Sequence, residues 1–176
     1  MLTTQPSPHP ALRSPVSEPR IRPATHRDIG AILPMVEAIC AYHESLDTAK
    51  FGFLPDVVQR YERWLPERAT DPQSVLLIAE VGSIATGFLV GEVLDEIPIY
   101  RITRYGFIHD FWVEPAFRRR GIGRMLVQTA VERFTAMGVA QVRGDTAEAN
   151  PDARSTLEKI GFRPSTREML LMLRPA

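Results

Sequence analysis

A turn loaded with arginine and glycine, set between an apolar strand and an amphipathic helix, constrains this chain more than any other feature. The stretch Val113-Glu-Pro-Ala-Phe-Arg-Arg-Arg-Gly-Ile-Gly123 follows Phe107-Ile-His-Asp-Phe-Trp-Val113, which reads as a buried strand. Behind it, Ile122, Leu126, Ala130 and Phe134 recur at helical spacing, with Met125, Val127, Val131 and Met137 widening the stripe. A helix starts with unpaired backbone N–H groups and the positive end of its dipole, so the turn is suited to an anion. Gly121 and Gly123 put no side chain in the way of a close-approaching phosphate. Arg118, Arg119, Arg120 and Arg124 surround the spot with cationic donors.

Three phosphate-loop patterns compete for this turn. A Walker loop ends in Gly-Lys-Ser/Thr, which is absent here, and a dinucleotide fingerprint needs a third small residue where Leu126 stands. The third pattern, Arg/Gln-x-x-Gly-x-Gly/Ala, is met by Arg118-Arg119-Arg120-Gly121-Ile122-Gly123. In this the chain resembles the acyl-CoA pyrophosphate loop of the GNAT acetyltransferase superfamily. Two further blocks, in the expected order, are similar to that superfamily: Ile21-Arg-Pro-Ala-Thr-x-x-Asp-Ile29 and Asn150…Ala153…Leu157-Glu-Lys-Ile-Gly161-Phe162. The resemblance spans residues 20–173.

Composition sets bounds on the rest. With 176 residues the chain is long enough for one domain with a substantial core. Its 21 basic and 21 acidic residues cancel, which argues against a nucleic-acid polymer or an anionic membrane as partner. Cys40 is the single cysteine, so neither an internal disulfide nor a cysteine-based metal cluster is expected, and no metal is called for. No apolar run approaches the roughly 20 residues that span a bilayer, and no signal-like leader is visible, so the expected location is the cytoplasm.

Taken in order, residues 1–19 are rich in proline and serine and read as a disordered tail, leaving 20–176 as the folded domain. A short strand at Ile21–Ala24 leads to a capping box, Thr25-x-x-Asp28, and a helix over about 26–44 that Pro34 is expected to kink or split. A second helix covers Val57–Leu65 and should end at Pro66. Strands at Val75–Glu80 and Ile84–Glu92 form an antiparallel hairpin. After the arginine turn and its helix, Gly138 supplies a stop, Val139–Arg143 a strand, and Asn150-Pro-Asp an N-cap for a helix ending at Gly161. Met169–Leu173 reads as a last strand. The sum is an α/β fold with a mixed central sheet between helices, three layers in all, as the GNAT resemblance also implies.

The resemblance implies acetyl transfer from acetyl-CoA to an amine. It implies backbone amides at Arg119–Arg124 on the pyrophosphate, Arg118 and Arg120 as charged supplements, and Asn150 on the cofactor side. It further implies that strands 107–113 and 139–145 splay to admit the pantetheine arm. A backbone N–H near Phe111, Trp112 or Val113 would then face the thioester oxygen. For proton removal, His109 and Asp110 stand where some small-amine members hold Glu-Asp; histidine is a competent general base. Strand alternation puts the two on opposite faces unless a bulge intervenes. Many relatives carry a tyrosine where this chain has Leu157; the CoA thiolate leaves readily and water can protonate it, and a replacement for the tyrosine acid would have to come from Tyr42, Tyr100 or Tyr105.

Tyr42, His43 and Glu92 are the candidates for holding the acceptor. An acidic mouth made by Glu92, Asp95, Glu96, Asp110, Glu44 and Asp47 would suit a cationic amine, of a small molecule in preference to a protein. The contrasting reading is a GNAT-fold module that binds acyl-CoA as sensor or scaffold without transfer. Dimers are common among GNAT relatives and the last strand offers a pairing edge, so a homodimer stands open.

Overall fold

In the computed structural model, residues 17–173 are described. Five strands form one mixed sheet in the order β1-β2-β3-β4-β5. They are β1 (Pro19–Pro23), β2 (Ser74–Val81), β3 (Ile84–Asp95), β4 (Arg104–Val113) and β5 (Val142–Gly144). The first four are antiparallel to their neighbours, and β5 alone runs parallel to β4. The expected tail lies almost entirely outside the described residues, although Pro19 already pairs with Val81 in β1.

The near-continuous apolar runs of β2 and β3 follow from burial on both faces. Leu76, Ile78, Phe88 and Val90 point to one side, against α1 (Ile29–Leu46) and α2 (Val57–Thr70). Val75, Leu77, Leu89 and Ile108 point to the other, against α3 (Ile122–Ala136) and, through Leu157, α4 (Pro151–Glu158). Two helical layers thus sandwich the sheet, as expected. Close approach of α3 to the sheet depends on Gly106, where a Cβ would lie 2.5 Å from the Phe134 ring.

Several local expectations give way. Pro66 does not end α2, which continues to Thr70. The lost hydrogen bond is offset by what the extra turn brings, since Arg68 there pairs with Glu92. Pro34 likewise does not split α1, whose Ile32, Met35, Val36 and Ile39 are all buried. Asp28 does cap the entry, accepting from the Thr25 N–H at 2.7 Å, and it also pairs with Arg22. The strand expected at Val139–Arg143 shrinks to Val142–Gly144. The expected last strand does not form: Met169–Leu173 is irregular and exposed, and pairs with no strand of the sheet.

Candidate functional site

The β4–β5 pairing runs only from Gly106↔Val142 to Ile108↔Gly144. Beyond it β4 continues to Val113 without a strand on that side, so the two strands part and the edge of residues 109–113 faces a cavity. That cavity has a volume of about 410 Å³. Phe111, Trp112, Val113, Arg118, Arg119, Gly121, Ile122, Gly123, Arg124 and Asn150 line it, together with His109, Asp110, Tyr42 and His43. Residues distant in the chain are therefore brought to one space.

The arginine turn has the backbone its glycines permit. Gly121 caps α3 with φ of +80°, a conformation that side chains disfavour, and Arg119 shares the left-handed region at +63°. No side chain caps α3. Its first N–H groups are left for a ligand. Gly123 sits where a Cβ would come within 3.7 Å of Val113 and 3.8 Å of Thr156, so its absence leaves room between β4 and α4. The arginines divide their work. Arg118 stacks 4.5 Å from the centre of the Trp112 ring and donates to the Val113 carbonyl at 2.9 Å. Arg120 lies over Phe117 and is not on the cavity wall.

On the far wall the Asn150 side chain accepts from Ala153 N–H at 3.1 Å and starts α4. Asp152, Ser155, Thr156 and Lys159 also line the cavity. Their spacing of three, four and seven residues is a polar stripe on one helical face, the signal by which the sequence marks them.

A β-bulge decides the chemistry of the middle of β4. Asp110 lies opposite Val90 and Ile108 opposite Gly91, leaving His109 over. Both His109 and Asp110 consequently turn toward α2. His109 meets the Trp64 ring edge-on at 5.5 Å, while Asp110 accepts from the Tyr61 hydroxyl at 2.7 Å. His109 Nε2 also lies 2.8 Å from Glu92 Oε1, and the other oxygen of Glu92 receives Arg68. Burial raises the Asp110 carboxyl above its usual range, against the opposing effect of the Tyr61 hydrogen bond. Burial lowers His43. The Tyr61 hydroxyl is raised by burial and by the neighbouring Asp110 charge. Burial likewise pushes the Cys40 thiol up to about 11, so it stays protonated.

Glu92, expected beside the acceptor, does not line the cavity; it is held between His109 and Arg68. The acidic mouth does not assemble either. Glu96 pairs with Arg143 and Asp95 approaches Arg104 at 3.6 Å, while Glu44 and Asp47 are exposed away from the cavity wall. Among the described residues no cluster of three or more His, Cys, Asp or Glu side chains is arranged for a metal.

Residues 39–162 match the Acetyltransferase (GNAT) family. The chain belongs to that family. Over 74 residues it is 31% identical to the [Ribosomal protein bS18]-alanine N-acetyltransferase of Salmonella typhimurium strain LT2, a match covering 42% of this chain and 44% of that protein. The chain spans under half the length of the curated relatives it matches. The fold is similar to that of a tetramutant of the BH1408 protein from Bacillus halodurans, with a TM-score of 0.77 and 18% identity. That likeness covers 88% of this chain and 99% of the other. It is also similar to the aminoglycoside N-acetyltransferase AAC(6')-Iy in complex with CoA, at TM-score 0.67 and 18% identity, over 90% and 97% of the two chains. Where many GNAT members have a tyrosine, Leu157 is buried among the residues under α3. Of the tyrosines expected in its place, Tyr100 is exposed on a loop and Tyr105 lies under Arg143. Tyr42 alone of the three lines the cavity.

Proposed function

We propose that this chain is an N-acetyltransferase that moves an acetyl group from acetyl-CoA to a primary amine, of a small molecule in preference to a protein. The reading rests above all on one observation: a single cavity joins the Arg119–Gly123 turn to His109 and Asp110 through the gap between β4 and β5. The residues fit the cosubstrate. An uncapped helix start, a glycine-lined approach and the cations Arg119, Arg124 and Lys159 suit a pyrophosphate. The unpaired edge of β4 suits an amide-bearing arm.

Bound acetyl-CoA would supply an activated acetyl group and a good leaving thiolate. Glu92 orients His109, which takes the proton from the acceptor nitrogen directly or through water as the new C–N bond forms. A backbone N–H of Phe111–Val113 steadies the oxygen that gains charge. Tyr42 gives a proton to the departing sulfur. The setting we infer is the cytoplasm. A sensor or scaffold that holds acyl-CoA without transfer is the second reading, favoured by the burial of Leu157 at the family's tyrosine position.

Calorimetric titration of acetyl-CoA into the native chain and a Gly121→Glu/Gly123→Glu variant tests the binding half. Micromolar binding by the native chain and none by a folded variant is the expected result; no binding by the native chain overturns the reading. Turnover on an amine panel tests transfer, and a complete lack of it with acetyl-CoA bound leaves only the sensor.

A further inference from the structure

The acceptor side of the cavity has lost the charges that a polyamine or aminosugar would seek. Glu92, Glu96 and Asp95 each face an arginine. The cations Arg118, Arg119, Arg124 and Lys159 line the same cavity, against the carboxylates Asp110, Asp145 and Asp152, of which the last two come from the β5–α4 wall. What remains near α1 is aromatic. Tyr42 lies 5.9 Å from Trp112, and His43 stacks on Phe51 at 4.9 Å with 26° between the rings. Ile39, on the cavity wall one turn earlier, is buried. Burial lowers the pKa of His43, which disfavours its charged ring. A single carboxyl, Asp110, stands within this wall and is tied to Tyr61.

We infer that the acceptor is a monoamine with a flat aromatic body, its ring received by Tyr42 and His43 and its one nitrogen directed to His109 and Asp110. The inference rests on the transfer reading above and names its substrate class. One carboxyl reads one nitrogen, whereas each further ammonium of a polycation would enter an aromatic wall without a counter-charge. Face and edge contacts with rings are worth about 0.5–1.5 kcal/mol each beyond burial, which amounts to roughly two- to tenfold in affinity.

The full chain is titrated with 2-phenylethylamine, with spermidine and with an N-terminal alanyl peptide, followed by tryptophan fluorescence, in the absence and presence of CoA. The expected outcome is binding of 2-phenylethylamine at least about tenfold tighter than either other amine. His43→Ala should weaken it about two- to tenfold with acetyl-CoA affinity unchanged. Should that variant fold poorly, His43→Gln, which keeps much of the volume but not the ring, should show the same loss. Equal or tighter binding of spermidine or the peptide, no binding of 2-phenylethylamine, or no effect of a folded His43 variant overturns the inference. If 2-phenylethylamine binds but acetyl-CoA does not, the transfer reading fails while the aromatic amine site stands. If acetyl-CoA binds and 2-phenylethylamine does not, the reverse holds.

Discussion

His109 and Glu92 meet at 2.8 Å across β4 and β3, at the one point where a bulge breaks the register between those strands. The carboxylate has Arg68 behind it, and the imidazole has Trp64 and Phe107 against its ring edges. A histidine held by a carboxylate on one nitrogen has its tautomer and orientation set for proton transfer at the other. The bulge is what brings Asp110 to the same face as this pair; without it His109 and Asp110 would diverge to opposite faces of the sheet.

On the proposed transfer reading, Glu92 is a positioning residue for His109. Glu92→Gln is expected to lower kcat about tenfold with acetyl-CoA KM little changed, and His109→Ala to lower kcat by roughly 10²–10⁴. Glu92→Asp should restore part of the loss. Steady-state kinetics with calorimetry of acetyl-CoA binding separate the two effects, and a change confined to acetyl-CoA affinity would refute the role.

Lys159 lines the same cavity as the arginine turn, and on the proposed reading it adds a charge to the phosphate site. Replacing it with alanine is expected to weaken acetyl-CoA binding several-fold at low salt, with the difference shrinking as ionic strength rises and screening shortens the reach of the charge. Titrations at two salt concentrations check this, and an unchanged affinity at low salt removes Lys159 from the site.

Gly106 and Phe134 are packed against each other with no room to spare. Gly106→Ala forces a Cβ to within 2.5 Å of the Phe134 ring unless something shifts, an overpacking expected to cost about 1–3 kcal/mol in urea unfolding. Combining it with Phe134→Leu should cost less than the sum of the two single changes, since the smaller side chain admits the methyl. Additive losses would mean that the two positions do not share the space.

Asp110 links stability to pH in the direction opposite to most carboxylates. Its folded-state pKa is raised by burial, so the folded chain binds the proton more tightly than the unfolded chain does. Its contribution is complete below the ordinary carboxylate range and is lost as pH rises through the raised value. Asp110→Asn, which keeps an oxygen for the Tyr61 hydroxyl, should lack that loss. Unfolding free energies of the two chains, compared from pH 4 to 8, should move in the variant's favour as pH rises; a constant difference would contradict the assignment.

Local chemistry by itself determined a large part of this protein. The arginine–glycine turn, the stripe of α3, the Gly138 stop and the Asn150-Pro151 start of α4 rest on interactions within a few residues, so they were legible from order and spacing alone. The two-sided burial of β2 and β3 was equally plain from their apolar runs. Tertiary structure alone decided the rest, because each remaining case depends on a partner far along the chain. Pro66 stays helical as the turn beyond it carries Arg68 to Glu92, and Met169–Leu173, apolar enough for a strand, pairs with no strand of the sheet. Of the acidic residues that suggested a cationic acceptor, Glu92, Asp95 and Glu96 are matched by arginines from other elements, while Glu44 and Asp47 lie off the cavity wall. The bulge at His109 has no mark in the sequence; it is a register difference between two strands, and register exists only once they pair.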